Sequence, residues 1–305
     1  MATTQLTNAQ IEAFNTTLKV RFNQGLVSVK ETWQDVAARM GSNNASNTYS
    51  FLSQIPAFKL WVGSRLHKTF AKRAYTVTNE RYENTFDIPR ADFEDNNLEM
   101  YGDLSQSYGH SVIDLKNDLV FNAIKAGFSS ICYDGQFFFD TDHPVTANED
   151  GTGAVTAYSN MQAGTGEPWV LLCTDRAAKP LYLQERNAAE FYAKTNANNS
   201  DSVFETDVFS YGGRWRGNAA YGFWQLAFGS KAALDVTNFT AAFTAMMKVK
   251  GDGNRQIGVT PDVLVVGPDN MAAAELILKA QQNAAGATNI NYNRVRLIVD
   301  PRMGA

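Results

Sequence analysis

The chain has 305 residues, 44% of them hydrophobic and 12% aromatic, enough to bury a core in one to three domains. Its 27 basic and 31 acidic residues leave a net charge of −4, which excludes the broad cationic surface of a protein that wraps nucleic acid through its phosphates. No apolar run approaches the roughly 20 residues that cross a bilayer, and the first residues lack the basic and apolar regions of a secretory signal. Cys132 and Cys173 are therefore expected as reduced, buried thiols of an intracellular protein.

Residues 8–22 read as an amphipathic helix. Thr7 and Gln10 have capping-box spacing, and Ile11, Phe14, Leu18 and Phe22 fall on one face. That stripe needs cover, and the spacing is compatible with the chain's own body or with a neighbouring molecule. Residues 41–47 are polar and read as a connection. From 64 to 90 the pattern turns to period two. Residues 75–78 and 82–88 read as strands of a ribbon, with Tyr82, Phe86 and Ile88 on one face and Glu83, Thr85 and Asp87 on the other. Arg65, Lys68, Lys72, Arg73 and Arg81 make this segment strongly cationic. A two-stranded ribbon is marginal alone, and it becomes sensible if its apolar face lies across another molecule.

Residues 91–127 return to a helical period, with Asp92 and Asp95 as an approximate capping box. Leu98, Tyr101, Leu104, Tyr108, Val112 and Leu115 follow at spacings of three and four, and Gly127 is the stop. About 25 helical residues make a rod of roughly 37 Å, a spine on which other layers can pack. From 128 to 235 the chain is aromatic, glycine-rich and strand-like: 169–173, 180–183, 203–204, 208–211 and 214–227 read as extended, and 145–168 and 193–202 as loops. A helix at 236–250, a buried strand at 263–266, a helix at 270–281 and a strand at 294–299 close the chain. The mixture is α+β, with an independent sheet in the last quarter.

Catalytic motifs are sparse. Asp140, Asp142 and His143 could hold a divalent ion for a metal-dependent hydrolase, or form a polar turn ending at Pro144. No nucleophile elbow and no phosphate-binding loop occurs. Cys132 reads as an inert thiol. Arg214, Trp215 and Arg216, with Tyr221, Phe223 and Trp224, could stack nucleobases or form a packed sheet with charged edges. The residues favour a structural protein over an enzyme, with no cofactor and no metal.

An ordered set of short motifs resembles the Mu-like major head subunit family. It runs from 46–52, Pro56, 61–63 and Arg65 through Tyr75, Asn79, Phe86 and 90–96. It continues with 133–140, His143-Pro144, 150–153, Lys179-Pro180, Arg186, Tyr211-Gly212 and Arg216, and ends with 222–227 and 261–266. The resemblance covers roughly residues 45–300. It implies the fold of tailed-phage major capsid proteins, with an N-terminal arm, an extended loop, a peripheral domain and an axial domain. On this sequence those parts fall at 1–45 (arm), 64–90 (extended loop), 46–63, 91–130 and about 176–235 (peripheral domain with the spine), and about 131–175 and 236–305 (axial domain). In many related families the axial helices precede the strands matching 169–227. Here those strands come first, so peripheral strands are expected mid-chain and the chain is expected to end in the axial domain.

The resemblance further implies a shell of pentamers and hexamers around double-stranded DNA held without sequence specificity. It implies portal, scaffold and decoration proteins as partners, assembly in the host cytoplasm, and no membrane. No long charged helical segment precedes residue 45, so the scaffold is expected as a separate protein. A nanocompartment shell of the same fold is the structural alternative. Contacts between subunits are expected at Arg65, Lys68, Lys72, Arg73, Arg81, Tyr82 and Phe86 of one copy and Asp92, Glu94 and Asp95 of the next, with Ile11, Phe14, Leu18 and Phe22 packing the arm.

Overall fold

The computed structural model describes residues 7–52, 72–95, 98–149, 151–196, 201–283 and 285–304. In chain order its elements begin with helix α1 (Asn8–Ser28), strands β1 (Ala37–Gly41), β2 (Ser46–Leu52), β3 (Lys72–Thr78) and β4 (Glu80–Pro89), and helices α2 (Arg90–Glu94) and α3 (Glu99–Ala126). Strands β5 (His143–Thr146), β6 (Val155–Tyr158), β7 (Met161–Gln162), β8 (Trp169–Leu172) and β9 (Leu181–Lys194) follow, then helix α4 (Asp201–Thr206) and strands β10 (Val208–Tyr221) and β11 (Ala227–Ser230). Helix α5 (Val236–Met247), strands β12 (Lys250–Gly251), β13 (Arg255–Gln256) and β14 (Val263–Val266), helix α6 (Met271–Leu278) and strand β15 (Arg296–Val299) complete the chain.

Helix α3 is the spine. Its 28 residues make a rod of about 42 Å, buried along Tyr101, Ser105, Gly109, Ile113, Asn117, Val120, Phe121 and Ile124, a stripe advancing mostly by four. One side of the spine packs on a four-stranded sheet of order β1-β9-β10-β4. The long antiparallel strands β9 and β10 form its centre, with β1 added parallel to β9 and β4 antiparallel to β10. Phe209, Tyr211 and Trp215 alternate inward along β10 and are fully buried. The second sheet has order β15-β14-β8-β11-β7. Its central strands, Trp169–Leu172 and Val263–Val266, are buried on both faces, as apolar runs without alternation require. Phe239, Phe243 and Met246 of α5 and Ile277 and Leu278 of α6 join its core.

Residues 208–221 thus lie in the spine-backed sheet, while β14 and β15 near the end of the chain lie in the other one. Strand β11, inside the expected peripheral stretch 176–235, joins the second sheet because Ala227–Ser230 pair with β8. Residues 203–204 are not extended but part of α4, a single turn whose Val203 is tucked against the aromatic cluster of β4 and β10.

The ribbon departs most from its expected form. From the pattern alone, 75–78 and 82–88 pair with each other. In the structure β3 pairs with β2, from Ser46 opposite Thr78 to Leu52 opposite Lys72, as a separate two-stranded sheet. Strand β4 turns away at Asn79 and pairs with β10 over ten positions. Both strands have period two, but the wide inward face of β10 offers β4 more burial than a lone hairpin partner can.

Candidate functional site

The root of the β2–β3 ribbon is a buried polar knot. Asn79, at the turn between ribbon and sheet, donates through Nδ2 to Ser42 Oγ at 2.8 Å and to the Asn44 carbonyl at 2.9 Å. Its Oδ1 accepts from Gln184 Nε2 at 2.7 Å, and Gln184 Oε1 accepts from the Tyr49 hydroxyl at 2.5 Å. Asn218 Nδ2 donates to the Thr78 carbonyl at 3.0 Å. Buried amides satisfied this fully hold one geometry, so the ribbon leaves the sheet at a set angle. Beyond the root, β2 and β3 have only each other as strand partners among the described residues.

Arg65 and Lys68 lie outside the described residues, and Lys72 and Arg73 begin β3. Arg81 is exposed on the outer face of β4. Tyr82 and Phe86 share the inner face with Ile88, as the alternation requires, but this chain's own core covers that face. Tyr82 lies 5.7 Å from the Trp215 ring, and Phe86 4.7 Å from Tyr108 and 5.4 Å from Tyr211. Tyr82, Tyr108, Val112, Leu115 and Trp215 also line a slot of about 210 Å³ between spine and sheet. Among the acids, Asp92 accepts from the Tyr101 hydroxyl. Burial, then this hydrogen bond and the carboxylate charge, push that phenol up to about 12. Glu94 pairs with Arg90 at 3.4 Å, while Asp95 is exposed. The expected cap at Asp92 is absent: Pro89 precedes α2 with no side-chain cap.

The arm helix packs on its own subunit. The capping box of Thr7 and Gln10 is present, and the helix runs six residues beyond 22, to Ser28. Leu18 and Phe22 are buried, Phe14 meets Phe93 edge-on at 4.9 Å, and Ile11 packs beside them. The decisive residues are two glycines that periodicity does not single out. A Cβ on Gly25 would lie 2.1 Å from the Gln106 carbonyl oxygen, and one on Gly109 2.2 Å from that of Phe22. The backbones of α1 and α3 touch there, so the stripe is covered within the chain. A glycine inside an otherwise well-formed helix is the signal that points to such a crossing.

The possible hydrolase centre does not assemble. Asp140 accepts from its own turn, from Phe137 N at 3.1 Å and Thr141 N at 2.7 Å, and Asp142 is exposed. His143 is fully buried, stacked on Trp224 at 4.1 Å, and its partner is Asp134 at 2.7 Å. Asn160 Nδ2 faces the carbonyls of Phe138, Trp224 and Ala227, and its Oδ1 accepts from Asp140 N, so Oδ1 also accepts from His143 Nε2 at 3.1 Å. Cys132 donates to Asp134 at 3.1 Å. Cys132, Asp134 and His143 hold their potential ligand atoms within 4.8 Å of one another, yet these atoms bind each other. Burial pushes both thiols up, that of Cys173 to about 12. The cluster is a cross-brace beneath the second sheet.

Spine and chain end are also tied. Arg302 meets Asp114 at 3.0 Å and Asp300 at 3.5 Å, and also pairs with Asp118. No helix of the described residues is long and apolar enough to cross a membrane.

The model of the family described as Mu-like prophage major head subunit gpT matches residues 11–303. The chain is 38% identical over 280 residues to the Mu-like prophage FluMu major head subunit of Haemophilus influenzae, covering 90% of this chain and 91% of that one. It is 37% identical to the major capsid protein of Escherichia phage Mu, covering 94% of both. In structure it is similar to the subunit in the procapsid of bacteriophage JBD30, with a TM-score of 0.87, 39% identity and coverage of 97% of this chain and 100% of that one.

Proposed function

Because this chain belongs to the Mu-like major head subunit family and is a structural capsid protein that self-assembles into the virion shell, not an enzyme, we propose that its β2–β3 ribbon is the main element by which copies grip one another. Family membership separates it from the nanocompartment reading, and the dispersal of Asp140, Asp142 and His143 removes the hydrolase. The observation that carries the proposal is the isolation of the ribbon: two strands, paired with neither larger sheet among the described residues, on a root of satisfied buried amides. Two strands alone are marginal in water, whereas the same strands laid on a sister copy gain burial and partners.

In this reading the spine and four-stranded sheet form the peripheral layer and the five-stranded sheet with α5 and α6 forms the axial one. Pentamers and hexamers differ in how the ribbon bends beyond its fixed root. Cations of the expected extended loop (Arg65, Lys68, Lys72 and Arg73) meet acids of the neighbour. Each rim pair contributes only about 0–1 kcal/mol, but every subunit repeats it. Portal, separate scaffold, decoration protein and packaged double-stranded DNA are the partners such a shell requires, with assembly in the host cytoplasm. Reversing the charges at Arg65, Lys68 and Lys72 should leave a folded subunit that forms no closed shells by electron microscopy. Normal shells from that variant would remove the ribbon from its role.

A further inference from the structure

The outer face of the four-stranded sheet carries a charge arrangement that the isolated subunit does not resolve. Arg216 on β10 stands directly opposite Arg81 on β4, and like charges placed directly opposite in a ladder repel. The β9 ladder is irregular there. Arg216 pairs with Asn187 and Gly217 with Glu185, which leaves Arg186 as an extra residue beside the arginine pair. Arg214 lies one position along the same face, between Glu83 and Glu190. None of the four arginines has a salt bridge among the described residues, and Nε of Arg216 is buried without a hydrogen-bond partner. Burial, then Arg186, Arg81 and Arg214, push the Arg216 guanidinium below its ordinary range, with Glu80 only partly offsetting them.

A matching excess of the opposite sign lies at the far end of the same strand. Asp95, Glu99 and Asp103 are exposed and have no salt bridge among the described residues. Glu99 and Asp103 are four apart on α3, a spacing at which like charges repel. Eight steps of β4 separate Arg81 from Pro89, roughly 26 Å at strand rise. That exceeds the Debye length of about 8 Å at physiological salt, so the two groups cannot neutralise each other within one subunit.

We propose that the Arg81–Arg186–Arg216 cluster of one copy receives the Asp95–Glu99–Asp103 cluster of the next, as a head-to-tail clasp between neighbouring subunits. The proposal rests on self-assembly and adds a surface distinct from the ribbon. A contact joining two different patches is heterologous and propagates around a ring, as capsomers require. A nucleic acid is the poorer occupant. The chain is net acidic, and Glu80, Glu83 and Glu190 interrupt the arginines, so no continuous cationic track forms for phosphates.

The test compares the full-length wild-type chain, Arg81→Gln/Arg216→Gln, and a charge swap that adds Asp95→Lys, Glu99→Lys and Asp103→Lys to Arg81→Glu/Arg216→Glu. Assembly is followed by sedimentation and electron microscopy. The neutralised variant should melt no lower than wild type, because it loses a repulsion, yet need at least about tenfold more subunit to form shells. The swap should restore assembly to within a few-fold. Shells from the neutralised variant at wild-type concentration would overturn the clasp, whether or not they still retain duplex DNA. So would a folded swap variant that fails to assemble. A wild-type chain that forms no shells would instead count against self-assembly itself, a separate result.

Discussion

His143 shows how a single residue is read correctly in kind and wrongly in company. It stands out in sequence beside Asp140 and Asp142, and adjacency suggests those carboxylates as partners. The chain instead folds back at once: Cys132 N donates to the Gln136 carbonyl at 2.8 Å and Ile131 bridges to Phe137. This return brings Asp134, nine residues upstream, under the imidazole. Both side chains are almost completely buried, so removing one takes the charge partner from the other. His143→Ala should cost about 3–5 kcal/mol in chemical denaturation, whereas Asp142→Ala should change stability by less than about 0.5 kcal/mol. For Asp134, burial raises the carboxyl pKa, but the hydrogen bond and charge of His143 outweigh it and hold it below the ordinary carboxylate range. A depressed folded value stabilises above the unfolded pKa near 3.8 and is lost as pH falls through the folded one. Melting curves should therefore show this contribution intact at pH 6 and fading below about pH 4. In Asp134→Asn that acid-dependent loss should be missing.

At the scale of elements, helices and strands follow from period and caps, while the pairings between them follow from contacts that no local pattern encodes. The arm helix was legible through Thr7, Gln10 and its four apolar residues, but what covers it depends on Gly25 and Gly109, 84 positions apart. Gly109→Ala should raise helix propensity by about 1 kcal/mol, yet its Cβ would meet the Phe22 carbonyl at 2.2 Å. Steric overlap wins, and a net loss of about 1–3 kcal/mol is expected in urea melts. Faster proteolysis near Val27 and Val29, exposed at the end of the helix, should accompany it. Unchanged stability would mean that α1 does not rest on the spine as described. The ribbon carries the same lesson. Period two identified both strands around Asn79, but Asn79 itself, the residue that parts them, gives no periodic signal. Its side chain is meaningful only once Ser42 and Gln184 stand beside it.

For the whole molecule, the ordered motifs between 45 and 300 made the capsid fold legible before any coordinate, because such motifs record packing at many points at once. The division into arm, loop and layers was less legible, since strands with equal period can exchange partners. Covering α1 within the subunit bears on the proposed assembly: its apolar stripe is already occupied, so the contacts proposed between copies are those of the ribbon and the charged sheet face. On the proposed reading, the subunit is stable alone in both its sheets and its ribbon is completed only by a sister copy. Amide hydrogen exchange of β2 and β3, compared between free subunits and assembled shells, measures that difference directly. Rapid exchange of 46–52 and 72–75 in the free subunit, slowed at least about tenfold in shells while β9 and β10 remain protected in both, is the predicted result. Ribbon amides already as protected in the free subunit as those of β10 would contradict it.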